Sequence, residues 1–367
     1  MIFSLPITVR DSAPLGYWLT PVLVDALSKQ LRERGILFYG KFGLQSPSLA
    51  VEKEYQRQLD FLNLTCERKS DTEFEEELLG LSRQICSGSS VLSREQECYR
   101  CPCGCLELPV SIALFAKEKT FKRVGDIYVC KACRQKGERI HVESKVLGVG
   151  SDWSLESVSI YPKWYRGELK ELVYQLCQQG IPMSRSRETG LYLNGINLDV
   201  EFVWLLIPLL LSLRNPGERI RLVVTNHVLR QATIALLLAS SFNPDLRADL
   251  IISPYISHPG VLEKWELDRL IELGFTGELL RFILIGSLGW QVKDSSLYDL
   301  PASVEYRRFI LLQKRIHNAL NDPSTILSTP FTPEEVMRNL SQRNLASGLK
   351  HVFNPEHFEY RTLIGVL

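Results

Sequence analysis

The first forty residues alternate between short apolar runs and one amphipathic stretch. Ile2 to Val9 is apolar and rich in β-formers, and it ends at the polar break Arg10-Asp11-Ser12, which predicts a strand. From Trp18 to Arg34, apolar residues recur at the three- and four-residue spacing of one helix face, and Gly35 is placed to end that helix. Ile36 to Tyr39 predicts a second strand. Strand, helix and strand in this order predict a βαβ unit, typical of a doubly wound parallel sheet.

The same alternation continues on both sides of a central interruption. Helices are predicted at Leu49 to Asn63 and Thr72 to Ile85. Later segments predict, in order, a helix at Glu168 to Gln178, an apolar helix at Val200 to Leu213, a strand at Ile220 to Thr225, a helix at Val228 to Ser240, a strand at Leu250 to Ile256, and helices at Leu262 to Leu273, Gly277 to Leu284, Val304 to Leu320 and from Thr332.

Length, charge and hydropathy predict a globular protein that neither spans a membrane nor attracts polyanions through its overall charge. A chain of 367 residues is long enough for one large domain with an insert. With 43 Lys and Arg against 42 Asp and Glu, no global field draws it to a polyanion, so any polyanion site must be local. The longest apolar run, Phe202 to Leu213, is too short for a membrane span and contains Pro208. The first residues resemble no targeting leader, so we expect a cytoplasmic protein without membrane contact.

The cysteines favour a metal site. Six of the nine lie between positions 98 and 133, and disulfides are rare in a reducing compartment. Tyr128-Val-Cys130-Lys-Ala-Cys133 is a zinc-knuckle half-site, and Tyr99-Arg-Cys101-Pro-Cys103 repeats its Tyr-x-Cys opening. Our preferred ligands are therefore Cys101, Cys103, Cys130 and Cys133. Cys98 and Cys105 stay open as alternates because both are close enough to substitute.

Four thiolates around one zinc ion leave no open coordination position, so the predicted zinc is structural. The fold prediction is a Rossmann-type doubly wound parallel sheet with an inserted zinc-ribbon subdomain and a short helical C-terminal region. Its divisions are residues 1–96 (first half of the core), 97–163 (zinc-ribbon and β insert), 164–300 (second half of the core) and 301–367 (helical C-terminal region).

The opening PITVRDSAPLGYWLTPVLVDALSKQLRERG resembles the start of class I aminoacyl-tRNA synthetases, where a strand precedes Pro-x-His-Ile-Gly-His and a long helix. Later segments keep the family's order and resemble its methionyl branch: the zinc-knuckle insert, FVWLLIPLLL (similar to YVWxDAP), the strand at Leu222 to Thr225, and ELGFTGELLRFILI. The likeness covers about Met1 to Leu320. It implies a Rossmann core that binds ATP with Mg²⁺ and a carboxylate substrate.

The family's phosphate-binding motifs are altered. Pro14-Leu15-Gly16-Tyr17 stands where the family has His-Ile-Gly-His, so both imidazoles that contact the ATP phosphates are lost. Pro14 cannot donate a hydrogen bond, whereas the hydroxyl of Tyr17 can. The KMSKS loop corresponds to Ser257 to Val261, which has no lysine. Met183-Ser-Arg185-Ser186 is superficially similar to KMSKS, but its place in the chain argues against equivalence, and Arg185 stays open as a phosphate contact.

The family's contacts to the substrate amine are also missing. GTDEHG corresponds to Gly40 to Gln45, and the Asp of WLDAP corresponds to Leu206, which argues against a methionine pocket. About sixty residues follow the core, too few for an anticodon-binding bundle, so ordinary tRNA charging is not expected.

Candidate site residues cluster after the predicted strands, where open α/β sheets bind ligands. Against each stands a plain structural interpretation: a helix cap for Thr225 or Asn226, a solvated turn after the first strand, and an exposed loop histidine. The candidates are Arg10, Gly16, Asn226, His227 and Arg230 for a nucleotide, and Tyr17 and His258 for catalysis.

Two functional hypotheses follow. In the first, the chain is a repurposed relative of methionyl-tRNA synthetase that activates an amino acid or other carboxylate with ATP. It then passes the acyl group to a small amine or hydroxyl acceptor in specialised metabolite biosynthesis. In the second, the chain is a catalytically inactive synthetase-like pseudoenzyme that acts as a ligand sensor or as the subunit of a protein partner. The motif losses favour the second hypothesis, and analogy with other truncated synthetases favours the first.

Overall fold

A computed structural model of the chain describes twelve stretches of residues. The predicted helices at Val304 to Leu320 and from Thr332, and hence the predicted helical C-terminal region, lie outside them. The described residues are 1–9, 15–41, 47–88, 90–103, 106–107, 121–131, 133–150, 152–184, 191–257, 267–272, 274–286 and 294–296.

The first half of the chain alternates strands and helices and then enters a β-rich insert. Its elements are β1 (Ile2–Ser4), β2 (Ile7–Thr8), α1 (Leu19–Leu31), β3 (Gly35–Gly40), α2 (Leu49–Phe61), β4 (Glu67–Ser70), α3 (Glu75–Cys86), β5 (Val91–Arg100), β6 (Leu106–Glu107), β7 (Phe121–Val124), β8 (Ile127–Cys130) and β9 (Glu138–Leu147).

The second half returns to the α/β pattern. Its elements are β10 (Val158–Tyr161), α4 (Arg166–Gln179), β11 (Ile181–Pro182), β12 (Leu191–Leu193), β13 (Ile196–Leu198), α5 (Val200–Trp204), α6 (Ile207–Arg214), β14 (Arg219–Thr225), α7 (Leu229–Phe242), β15 (Arg247–Ser253), β16 (Tyr255–Ser257), α8 (Leu267–Glu272), α9 (Gly277–Gly286) and β17 (Asp294–Ser296).

The central sheet has seven strands, and all of their pairings are parallel. Their order is β10, β15, β14, β1, β3 and β2, and β4 also pairs with β3. Alternate strand residues face opposite apolar clusters: Phe3 lies with α3 to α7, and Ile2 lies with α1, α2, α8 and α9. A parallel sheet covered on both faces is the predicted Rossmann-type architecture, so the predicted fold class is confirmed.

Two predicted elements are interrupted at prolines. The first strand divides into β1 and β2 at Leu5-Pro6, and both pieces pair with β3. The single apolar helix predicted at Val200 to Leu213 is two helices, because Pro208 lies in the first turn of α6 and starts a new helix there.

Helix α1 does not end because of Gly35, as was predicted. The helix ends at Arg32, which takes the left-handed conformation with φ 53°, and its N–H donates to the carbonyl of Lys29. Gly35 instead begins β3, where a Cβ would lie 2.8 Å from the Cβ of Ser28. The glycine therefore permits close packing of α1 on β3.

Two strands differ from the predicted organisation. β4 was not predicted because its sequence, Glu-Arg-Lys-Ser, lacks the apolar alternation of a strand; Arg34 pairs with its Glu67 at 2.6 Å. The segment Val158 to Tyr161 was placed in the insert, but β10 pairs in parallel with β15 and belongs to the central sheet. The insert has its own antiparallel sheet, in the order β11, β9, β5 and β6. Within the described residues, no helix is long and apolar enough to cross a membrane.

A buried ion pair joins α1 to α9. The carboxylate of Asp25 lies 2.7 Å from the guanidinium of Arg281, and both side chains are fully buried. The other Asp25 oxygen accepts hydrogen bonds from the backbone N–H groups of Thr65 and Cys66, and Arg281 donates to the carbonyl of Leu62. Burial raises the pKa of Asp25, but Arg281, Lys29 and the Thr65 N–H outweigh burial, so that this pKa lies below its ordinary value.

Removal of one partner should strongly destabilise the fold. We expect Arg281→Met to lower the free energy of unfolding by about 3 kcal/mol, because the buried Asp25 carboxylate loses its fully buried cation and keeps only Lys29, which lies 3.0 Å away and is partly exposed. Urea titration measures the change. Arg57→Ala, which breaks an exposed pair with Asp268, is the control and should have little effect. Equal effects of the two substitutions would contradict a structural role for the buried pair.

The contribution of Asp25 should also depend on pH. Because its folded-state pKa is lowered, the stabilisation is present above the ordinary value of 3.8 and is lost as pH falls through the folded-state pKa. The stability difference between the wild type and Asp25→Asn should therefore be smaller at about pH 3 than at about pH 7. Unfolding curves at both pH values measure it, and a constant difference would refute this assignment.

Candidate functional site

The order of the central strands places a crevice between β1 and β14. The chain proceeds outward from β1 through β3 on one side and from β14 through β15 on the other, so the strand order reverses between β1 and β14. In open α/β sheets, ligands bind at the carboxyl ends of the strands at such a point. The 3-10 helix Leu15–Trp18 follows β2, which pairs with β3 further along than β1 does, and the 3-10 helix Asn226–Val228 follows β14.

Tyr17 and Gly16 lie in the first of these 3-10 helices. The hydroxyl of Tyr17 donates to the carbonyl of Thr8, which holds the helix against the end of β2. The indole N–H of Trp18 donates to the side chain of Gln58 at 3.1 Å, and both of these side chains are buried. The short helix is thus fixed on both sides. The roles predicted for Tyr17 and Gly16 stay predictions.

Asn226 and His227 lie directly beyond β14. Thr225, the N-cap residue of this 3-10 helix, makes no side-chain capping hydrogen bond. The ring of His227 stacks on that of Tyr255, with centroids 4.1 Å apart and planes at 19°. Tyr255 begins β16, next to the carboxyl end of β15, and sequence reasoning did not identify it. Its position directly after the buried strand and Pro254 was the available signal.

Arg230 is close in sequence but faces a different element. Its guanidinium lies 3.5 Å from the side-chain oxygen of Gln175 and 3.3 Å from that of Gln179, both on α4. The side chain is 8% exposed, and burial lowers its pKa to about 10. These contacts hold Arg230 between α7 and α4, and its predicted contact with phosphate stays a prediction.

A buried carboxylate lies at the ends of β3 and β4. Asp71 accepts the indole N–H of Trp204 and the backbone N–H of Lys41, each at 2.6 Å. A Cβ at Gly40 would lie 2.2 Å from the Trp204 ring, so only glycine permits this packing. Leu206 is buried nearby in the chain. Sequence reasoning did not identify Asp71 because this residue follows the unpredicted strand β4.

Three other predicted residues fall outside the described part of the chain. They are Arg10, His258 and Arg185. Their predicted roles stay predictions, as does the ligand alternate Cys105.

Four cysteines converge at the far end of the insert. The Sγ atoms of Cys101, Cys103, Cys130 and Cys133 all lie within 4.8 Å of one another. The distance is 3.1 Å between the sulfurs of Cys101 and Cys133, and 3.7 Å between those of Cys103 and Cys130. The rings of Tyr99 and Tyr128 stack with centroids 4.1 Å apart, and Phe121 packs beside the cysteines. Cys98 is buried in β5 and is not part of this cluster.

This arrangement suits a metal ion such as zinc. Tetrahedral zinc with Zn–S bonds of about 2.3 Å needs sulfurs about 3.8 Å apart. The sulfurs of Cys103 and Cys130 match this spacing at 3.7 Å, and those of Cys101 and Cys133 are closer at 3.1 Å. Cysteine thiolates are preferred ligands of zinc, and all four positions of a tetrahedron are supplied by protein. The geometry can therefore hold an ion that stabilises the insert, and it provides no open position for substrate.

Solved structures of Mycobacterium tuberculosis methionyl-tRNA synthetase share the fold. The form bound by methionyl-adenylate has a TM-score of 0.62 at 12% identity, over 100% of this chain and 83% of that chain. A second structure with methionyl-adenylate gives 0.63 at 12% identity, over 97% and 81%. The free form gives 0.61 at 12% identity, over 97% and 79%. Neither a protein-family model nor a curated protein matches the sequence. The chain thus has a class I synthetase-like fold, as the resemblance implied.

Purified protein should contain one zinc ion per chain, bound by the clustered cysteines. We expect the Cys130→Ser, Cys133→Ser double variant to lose zinc, because two thiolates cannot hold the ion against solvent. Cys98→Ala should keep it and is the matched control. Elemental analysis of each protein measures the zinc content. Zinc retained by the double variant, or lost from Cys98→Ala, would contradict this ligand set.

Proposed function

We propose that the chain binds ATP with Mg²⁺ in the crevice between β1 and β14 and activates an amino acid or other carboxylate. The observation that carries this proposal is that His227, in the 3-10 helix after β14, stacks on Tyr255 of β16, and β16 lies beside the 3-10 helix that contains Tyr17. The synthetase-like fold supports it, because the relatives in two solved structures hold methionyl-adenylate, the type of intermediate that such activation produces.

The proposed reaction has two steps. A substrate carboxylate oxygen attacks the α-phosphorus of ATP, which forms an acyl-adenylate and releases pyrophosphate. A small amine or hydroxyl compound then attacks the acyl carbon, AMP leaves, and the nucleophile gives up its proton. Both steps develop negative charge on oxygen, which donors fixed in advance can stabilise. Mg²⁺ would neutralise phosphate charge when bound.

The described residues supply part of such a site. Asn226 offers an amide and His227 an imidazole beside the proposed phosphates, and the N-terminus of α7 follows directly after this turn. The ring of Tyr255, which is held by stacking on His227, offers an aromatic surface for a purine base. Gly16 allows the backbone before Tyr17 to approach a phosphate closely. Arg10 and His258 complete the proposed set.

A second candidate function is a catalytically inactive ligand sensor or partner subunit. One observation favours it: the donors of Tyr17 and Arg230 are directed to protein groups, namely the carbonyl of Thr8 and the side chains of Gln175 and Gln179. A site for phosphates would leave such donors facing the crevice.

The first test is calorimetric titration of zinc-replete protein with ATP and Mg²⁺. The proposal predicts micromolar binding, and His227→Ala should weaken it by roughly tenfold through loss of ring stacking and one hydrogen bond. His141→Ala, which changes an exposed histidine of the insert, is the matched control and should bind as the wild type does.

Pyrophosphate exchange then separates the two functions. Exchange that depends on a particular carboxylate supports the ligase, and its loss in His227→Ala with an unchanged unfolding curve supports the site. Binding of ATP without exchange for any carboxylate favours the sensor. The absence of ATP binding at millimolar concentration would refute the proposal and favour the partner subunit.

A further inference from the structure

Positive charge is concentrated in one short segment of the insert. Residues 121–139 contain six Lys and Arg against two Asp and Glu, whereas the whole chain carries 43 against 42. The rest of the chain is therefore net negative. A zinc ion with four thiolates would add about two negative charges, which the six cations still exceed. The chain as a whole is nearly neutral, but residues 121–139 thus produce a local positive electrostatic field.

The β7–β8 hairpin divides these residues between two faces. Its inner face carries Phe121 and Cys130, which are paired across the hairpin and packed in the cysteine cluster. On the outer face, Val129 lies between Lys122 on one side and Lys136 on the other. Directly paired residues in neighbouring strands point to the same side. The two lysines therefore flank one outward-facing row.

The same outer face ends in exposed apolar residues. Val124 and Ile127 are directly paired at the hairpin turn, and they are 51% and 40% exposed. Such branched side chains are usually covered when they lie in a strand. Their exposure beside lysines gives the hairpin tip both an apolar and a cationic character.

The turn of the second cysteine pair supplies two more cations. Lys131 and Arg134 are exposed. The turn is rigid, because the N–H of Arg134 donates to the carbonyl of Cys130 and the N–H of Cys130 donates to the carbonyl of Gln135, both at 2.9 Å. Among the described residues, Lys122, Lys131, Arg134 and Lys136 form no ion pair.

We propose that this knuckle surface, defined by Lys122, Val124, Ile127, Lys131, Arg134 and Lys136, binds the phosphodiester backbone of a single-stranded nucleic acid. Lysine is depleted from protein–protein interfaces but is a common phosphate ligand. Three of the four cations are lysines, which favours a nucleic acid over an acidic protein. Val124 and Ile127 would pack against the exposed faces of unpaired bases, which a duplex does not present. This binding is separate from the crevice and from the proposed ligase activity.

The test is fluorescence anisotropy of zinc-replete protein with labelled oligo(U) and oligo(dT), long enough for a site of about 4–16 nucleotides. The knuckle variant carries Lys122→Gln, Lys131→Gln, Arg134→Asn and Lys136→Gln; asparagine tolerates the positive φ of residue 134. The matched control removes four exposed cations elsewhere: Lys53→Gln, Lys163→Gln, Arg166→Gln and Lys170→Gln.

The knuckle variant should bind at least tenfold more weakly than the wild type, whereas the control should bind nearly as well. The slope of log K against log salt should be less steep by about three, since each phosphate contact to a single strand contributes about 0.7. Val124→Ser with Ile127→Ser should weaken binding without a change in this slope. Comparison of oligo(U) with oligo(dT) distinguishes RNA from DNA as the source of the backbone.

Three results would overturn the proposal. One is the absence of oligonucleotide binding by the wild type at low salt. Another is an equal loss of binding in the knuckle and control variants. The third is binding to anionic lipid vesicles without binding to either oligonucleotide. The zinc content of each variant shows whether its cysteine cluster is still folded. If the knuckle variant loses zinc, the binding of the Val124→Ser, Ile127→Ser variant is used instead to test the proposal. None of these outcomes depends on ATP binding.

Discussion

The buried pair of Asp25 and Arg281 is the interaction on which the arrangement of the core depends. It connects α1, α9 and the turn after α2, three parts of the chain that are distant in sequence. Two charges without solvent are costly unless each is satisfied, so these three parts must keep one relative position. Because α1 directly follows the 3-10 helix of Tyr17, the same constraint fixes one wall of the crevice.

Away from the core, the insert depends on a different kind of interaction. Among the residues that the structure describes, its far end has a small apolar cluster, formed by Cys101, Phe121 and Cys130 with a few partly buried neighbours. Four clustered sulfurs lie in the same place, and metal ligation is a usual source of stability for such small lobes. The molecule thus combines a core stabilised by apolar packing with a lobe whose four cysteines can hold a stabilising metal ion.

Local patterns in the sequence predicted much of this fold. The periodicity of α1 and α7 and the apolar runs of β3, β14 and β15 predicted their elements, and the cysteine spacing predicted the cluster that now brings four sulfurs together. The charged strand β4 was missed because it lacks the apolar alternation of a strand. The strand β10 was assigned to the insert because its β-like pattern follows that of the insert directly, and only its pairing with β15 shows that it belongs to the central sheet. The pairs Asp71–Trp204 and His227–Tyr255 could not be predicted either, because they join residues that only the folded sheet brings together.

The ladder between β5 and β9 has a mechanical consequence. Ten residue pairs in unbroken register connect the apolar root of the insert, near Val91 and Leu147, to the cysteine end. At about 3.4 Å per residue, this two-stranded arm is roughly 30 Å long. A rotation at its root of about ten degrees would carry the tip through roughly 5 Å. An arm of this length would therefore convert a small rotation beside the core into a large displacement of the cysteine end.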